Sequence, residues 1–152
     1  MIIKTNSAKE TEKVAKSFVE EVARAERARR NNQNALIVGL YGELGSGKTT
    51  FVKGIAKAFG FKKMVTSPTF VIEKIYALKD KNFECLIHID AYRLKSGKEL
   101  LRLGWEEISK NSKNIIFIEW PENIKNILTK NKQKIYFRFI DENTREIEIN
   151  YT

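Results

Sequence analysis

A chain of 152 residues with 42% hydrophobic and 31% charged side chains suits one domain around one core, and this composition excludes a disordered or low-complexity protein. No apolar run approaches the roughly 18 residues that a membrane span needs, and the N-terminus "MIIKTNSAKE" lacks the pattern of a secretory signal. The net charge of +9 favours polyanionic partners such as nucleotides, RNA or an acidic protein surface, or else reflects lysines on solvated faces.

One cysteine, Cys85, cannot form an internal disulfide, which fits a reducing cytoplasm. It lies in the apolar run "ECLIHID" and reads as a buried strand thiol, because one histidine and no second cysteine leave a metal site incomplete.

In chain order, residues 2–5 predict a short strand. Ser7 is the N-cap of a helix over about 8–30, with Glu10 as its capping-box partner. Val14, Phe18 and Val22 recur every four residues and mark its core face. The basic run "RAERARRNNQN" that closes the helix is a solvated end or part of a polyanion contact. "ALIVGLY" reads as a buried strand, and "KTTFVKGIAKAFG" as a helix stopped by Gly60. "TFVIEKIYAL" and "FECLIHID" predict strands. "SGKELLRLGWEEI" predicts a helix with a break near Gly104. "NIIFIEW" predicts a buried strand and "ENIKNIL" a short helix. "KIYFRFI" and "REIEINY" alternate with period two around "DENT", the pattern of a terminal hairpin. Strands alternating with helices predict an α/β layer fold, and the hairpin an antiparallel part of its sheet. With no repeat and no linker, residues 1–152 read as a single domain.

The stretch "GLYGELGSGKTTF", residues 39–51, carries the strongest chemical signal. Gly42-x-x-x-x-Gly47-Lys48-Thr49 matches the phosphate-binding loop that joins a buried strand to a helix. Glycines permit positive φ and let phosphates approach the backbone, while successive N–H groups and the helix N-terminus face the anion. The spacing assigns Glu43, Leu44, Gly45, Ser46, Gly47, Lys48 and Thr49 to the nucleotide. Within that set Lys48 reaches the β- and γ-phosphates, and the Thr49 hydroxyl is a Mg²⁺ ligand.

Such a loop needs an acid at the end of a neighbouring strand. "LIHID" ends in Asp90 and "IIFIE" in Glu119, both where ligands bind in open α/β sheets. Asp90 is the better candidate for the metal shell, and Glu119 for holding a metal-bound water or orienting the attacking water. His88 shares a strand face with Asp90, so it is a partner for that acid, a partner for a nearby loop, or a packed core histidine. Arg93 is a candidate phosphate contact or ion-pair partner. Trp120 is a candidate cover for the nucleotide or an anchor for the core. Pro68 and Pro121 stiffen loops beside the site, and the hydroxyls of Thr66, Ser67 and Thr69 suit a segment that senses the γ-phosphate.

Together "GELGSGKTT", "TSPTF", "HIDAYR" and "IEWPE", in this order and in a chain this short, resemble the bacterial TsaE (YjeE) family of small phosphate-loop ATPases. The resemblance runs over about residues 6–150 and includes "LLRLGWEE". It implies a three-layer P-loop NTPase fold with a mixed, mainly parallel central sheet and an antiparallel C-terminal hairpin. It further implies a cytoplasmic protein that binds ATP and Mg²⁺ and hydrolyses ATP weakly by itself. Its partners would be TsaD and TsaB homologues, which attach threonylcarbamoyl to the adenosine beside the tRNA anticodon, with tRNA met through that complex. By the same resemblance Lys48, Thr49 and Thr50 meet phosphate and Mg²⁺, Asp90 is the metal-site acid, Glu119 lies near the γ-phosphate, Trp120 lies beside the nucleotide, and Thr66 to Thr69 form a switch-like loop. The catalytic set is then Lys48, Asp90 and Glu119, and the metal set Thr49, Asp90 and Glu119. The stretch "ARAERARRNNQN" is longer and more basic than the usual linker of the family. A small-molecule or nucleoside kinase is the alternative, but the sequence offers no convincing arginine-rich lid.

Overall fold

The structure is a computed structural model that describes residues 1–28, 33–61, 72–130 and 132–151. The end of the first predicted helix, the segment with Thr66 to Thr69 and Pro68, and the start of the strand predicted from residue 69 lie outside the described residues. Seven strands form one sheet: β1 (Ile2–Thr5), β2 (Leu36–Tyr41), β3 (Glu73–Ala77), β4 (Cys85–Asp90), β5 (Asn114–Glu119), β6 (Gln133–Phe139) and β7 (Arg145–Asn150). Their order is β1-β7-β6-β2-β5-β4-β3. The four middle strands, β6, β2, β5 and β4, run parallel, and the edges pair antiparallel. This is the mixed sheet with a parallel centre and a C-terminal hairpin that the sequence predicts.

Of the parallel strands, β2, β4 and β5 are buried on both faces, and their side chains alternate between two cores, whereas β6 buries one face and exposes Tyr136 and Arg138 on the other. Val38, Leu40, Leu86, Ile115, Phe117, Ile135 and Phe137 face a core closed by helices α1 (Ala8–Ala28) and α2 (Lys48–Ala58). Ile37, Ile87, Ile89, Ile116 and Ile118 face the other core, closed by α3 (Lys98–Arg102), α4 (Trp105–Ser109) and the 3-10 turn Pro121–Ile124. Helices on both faces explain why β2, β4 and β5 are continuous apolar runs, while β6 alternates.

Ser7 caps α1 by accepting the Glu10 N–H at 3.2 Å, and the Glu10 carboxylate reaches back to the Asn6 N–H at 2.6 Å. The return bond goes one residue earlier than in the usual capping box. Phe18 and Val22 are buried on the core face of α1 as its period requires, while Val14 packs at the margin. The helix crosses α2 closely. A Cβ at Gly54 would lie 2.8 Å from both the Ala15 Cβ and the Glu12 Cα, so glycine sets the approach. Beyond α2, Gly60 adopts φ 82°, and the N–H groups of Gly60 and Phe61 bond the carbonyls of Lys57 and Ala56. That is the Schellman termination expected at this glycine.

The helix expected over residues 96–108 is two short helices, with the expected break where Gly104 turns left-handed at φ 86°. Other segments differ from the sequence expectations. The segment "ENIKNIL" gives only a 3-10 turn, opened by Pro121. Cys85 stands at the start of β4 and is partly rather than fully buried, packed against the edge of the second core. Among the described residues, no helix is long and apolar enough to cross a membrane.

Candidate nucleotide site

The carboxyl ends of β2, β5 and β4 open side by side. In the sheet register Leu40 stands opposite Glu119, and Glu119 opposite Asp90. The glycine loop leaves β2 and enters α2, so loop and both acids meet at one edge. Gly42 has φ 148°, and a Cβ there would come within 2.5 Å of the Phe137 carbonyl oxygen. Gly47, at φ 104°, is the N-cap of α2 and offers no side chain to the helix end. The amide donors at this end therefore receive no side-chain cap, which leaves them for an anion.

Lys48 is nearly fully buried at 5% exposure. Its ammonium donates to the Gly42 carbonyl and, at 3.4 Å, to the Glu43 carbonyl. It also lies 3.9 Å from the centre of the Trp120 ring, in cation–π contact. Burial lowers its pKa, opposed by the charges of Glu119, Glu122 and Asp90. Trp120 takes φ 59°, the one non-glycine residue with positive φ among the described residues. This left-handed turn ends β5 one residue before the sequence expects and aims the indole at Lys48. Tyr92 packs against the same indole at 5.1 Å.

The Thr49 hydroxyl donates to Glu119 Oε1 at 3.2 Å. The other oxygen, Oε2, lies 3.0 Å from His88 Nε2. His88 thus partners Glu119, not Asp90 as its shared strand face with Asp90 suggests. Asp90 accepts the Tyr92 N–H at 3.0 Å, and burial raises its pKa, with the Glu119 charge adding to the rise. Of the two predicted acids, Glu119 rather than Asp90 touches the Thr49 hydroxyl.

These groups open into a cavity of about 820 Å³, within the range of small-molecule sites. Leu44, Gly45, Ser46, Gly47, Lys48, Thr49, Thr50, Asp90, Arg93, Glu119 and Trp120 all line it. Glu43 meets the site through the carbonyl that Lys48 contacts. The cavity also takes a wall that the sequence reading missed: Ser7 and Thr11 from the start of α1, and Glu142, Asn143 and Arg145 from the hairpin. Arg145 donates through Nε to the Gly45 carbonyl at 3.0 Å and through Nη1 to the carbonyls of Asp141 and Thr144. It joins the hairpin turn to the phosphate loop, residues 100 positions apart. No local pattern in "DENTR" announces such a contact.

The residues fit a phosphorylated ligand. Buried Ser46 Oγ has no hydrogen-bond partner among the described residues, and a Cβ at Gly45 would meet nothing within 4 Å, so the loop has both a free polar atom and space. They also fit a Mg²⁺ ion, which takes one or two protein oxygens and completes its shell with phosphate and water. Thr49 and Glu119 would supply that pair.

Over residues 5–147 the chain matches the family model of threonylcarbamoyl adenosine biosynthesis protein TsaE. It is 40% identical to the tRNA threonylcarbamoyladenosine biosynthesis protein TsaE of Rickettsia typhi, over 92% of this chain and 88% of that protein. It is 34% identical to the TsaE protein of Bacillus subtilis, over 73% of this chain and 66% of that protein. Its backbone matches the crystal structure of Bacillus subtilis YdiB with a TM-score of 0.72 at 26% identity, over 98% of this chain and 83% of that one. With the phosphate loop between β2 and α2 and these relatives along nearly its whole length, the chain belongs to the TsaE family, nucleotide-binding P-loop NTPase-type proteins of tRNA threonylcarbamoyladenosine biosynthesis.

Proposed function

We propose that this single-domain protein binds ATP with Mg²⁺ and hydrolyses it slowly, and that it does so in the cytoplasm as a partner of TsaD and TsaB homologues. Direct contact with tRNA is left to that complex. The observation that carries the reading is the Thr49–Glu119 contact at the mouth of the glycine loop, 3.2 Å across. It puts a hydroxyl and a carboxylate where a cation would bridge protein and phosphate.

In this reading the amides from Glu43 to Thr50 cradle the phosphates. Lys48 leaves the Gly42 carbonyl and the Trp120 ring for the β- and γ-phosphate oxygens, so a buried charge exchanges one set of partners for a stronger one. Thr49 and Glu119 hold the cation, whose positive charge offsets the charge on the phosphates. Asp90 stands beside Glu119 in the register and holds a water of the cation shell or orients the attacking water. Trp120 covers one side of the nucleotide and excludes solvent.

The test is binding and turnover by Lys48→Ala. Loss of a charge-assisted bond worth about 1.5–3 kcal/mol lowers ATP affinity by roughly 10- to 150-fold. The same variant, added to TsaD and TsaB homologues with tRNA and ATP, fails to support threonylcarbamoyladenosine formation. Unchanged ATP affinity overturns the site, and phosphate transfer to a nucleoside faster than hydrolysis would favour a kinase.

A further inference from the structure

The carboxylate of Glu119 is committed at both oxygens, and only one commitment belongs to the loop. Oε1 accepts from Thr49, and Oε2 faces His88 Nε2 at 3.0 Å. His88 and Glu119 are both deeply buried, with side chains 0% and 6% exposed. A carboxylate oxygen accepts only, so Nε2 carries the proton in this contact. Nδ1 is buried with no partner among the described residues, so the ring's one hydrogen bond there is the one to Glu119. The sheet register makes the pair possible. His88 on β4 stands opposite Phe117 on β5, and Glu119 is the next residue of β5 on that face, a diagonal neighbour.

We propose that His88 is a positioning residue for the cation site, acting through Glu119. The terminal torsion of a glutamate is broad, so an isolated carboxylate would turn freely between orientations. The Nε2–H bond holds Oε2 and leaves Oε1 directed at Thr49. It also offsets part of the cost of keeping a carboxylate away from water. The device resembles metal sites in which a hydrogen bond from outside the coordination shell orients a ligating carboxylate, and loss of such a bond commonly costs 10- to 100-fold in metal affinity or activity. The inference rests on Thr49 and Glu119 being the cation's protein ligands, as in the proposed function. A histidine serving only as core filling would need its volume and not its Nε2 donor.

Two amide substitutions separate these roles. The Gln amide nitrogen falls near the position of His Nε2, while that of Asn falls near Nδ1. ATP affinity is titrated in EDTA and across a Mg²⁺ series for the wild type, His88→Gln, His88→Asn and His88→Leu, with thermal melts as a check on folding. The Mg²⁺ concentration giving half of the gain in affinity rises about 10- to 100-fold in His88→Asn and His88→Leu and stays within about threefold in His88→Gln, while affinity in EDTA is unchanged in all three. Should His88→Leu fail to fold, the Gln and Asn pair decides. The same Mg²⁺ dependence in Gln and Asn variants overturns the positioning role and leaves the cation site intact. A wild type whose ATP affinity ignores Mg²⁺ overturns the cation site, and with it both proposals.

Discussion

Thr49 and Glu119 are 70 residues apart in the chain, yet their side chains meet at 3.2 Å at the mouth of the glycine loop. β5 lies directly beside β2 in the sheet, so the acid that ends one strand faces the helix that begins after the other. The threonine hydroxyl bonds the carboxylate oxygen that a cation would use in the proposed site. Thr49→Val keeps shape and removes the hydroxyl, and is expected to weaken ATP affinity about tenfold with Mg²⁺ present, the worth of roughly one polar contact. Affinity in EDTA should be little changed, and Thr49→Ser should restore the wild-type value. Titration with a fluorescent ATP analogue checks all three.

Trp120 holds a left-handed backbone that a side chain ordinarily resists. Replacing it by Gly or by Ala removes the same ring from Lys48 and Tyr92, but only Ala keeps the conformational strain. Trp120→Ala is therefore expected to be less stable than Trp120→Gly by about 1 kcal/mol. Urea unfolding of the two variants measures the difference; equal midpoints would mean that the turn relaxes once the indole is gone.

Arg145 ties the hairpin to the phosphate loop by bonding the Gly45 carbonyl through Nε while Nη1 holds the carbonyls of Asp141 and Thr144 in its own turn. Its planar fork spans acceptors that a lysine ammonium cannot reach together. Arg145→Ala is expected to lower ATP affinity about three- to tenfold by loosening the loop around Gly45, and Arg145→Lys to recover little of it. Isothermal titration of the two variants checks this, since recovery by Lys would show that charge alone matters.

Asp90 carries a pH signature. Its carboxyl is 3.8 in the reference state and raised in the folded protein, first by burial and then by the Glu119 charge. The fold prefers the neutral form, so the stability tied to this group is present at low pH and is lost as pH rises through the folded pKa. Asp90→Asn keeps an acceptor for the Tyr92 N–H and cannot ionise. It is expected to melt at a higher temperature than the wild type near neutral pH, with the gap closing as pH falls toward 3.8. Thermal melts over an acid-to-neutral series, without nucleotide, follow the gap; a gap that widens toward acid reverses the assignment.

Much of this protein was determined by sequence alone because the relevant physics is local. The eight residues from Gly42 to Thr49, with Gly47 and Lys48 at their fixed places, are enough to build a loop of inward-facing amides, and apolar runs of strand length are enough to announce a sheet buried on both faces. The capping of α1 at Ser7 and the stop at Gly60 are short-range hydrogen-bond geometry. Tertiary structure decided which distant groups meet. Strand order put Glu119, not Asp90, against Thr49, and gave Glu119 the histidine that lies two residues from Asp90 in the chain. The hairpin turn reached the phosphate loop through Arg145, a contact with no local signature. A left-handed Trp120 laid its ring on the loop's lysine. Period and spacing report which face a side chain takes and how a backbone turns, whereas the partner across the sheet depends on strand order and register, which are properties of the whole chain.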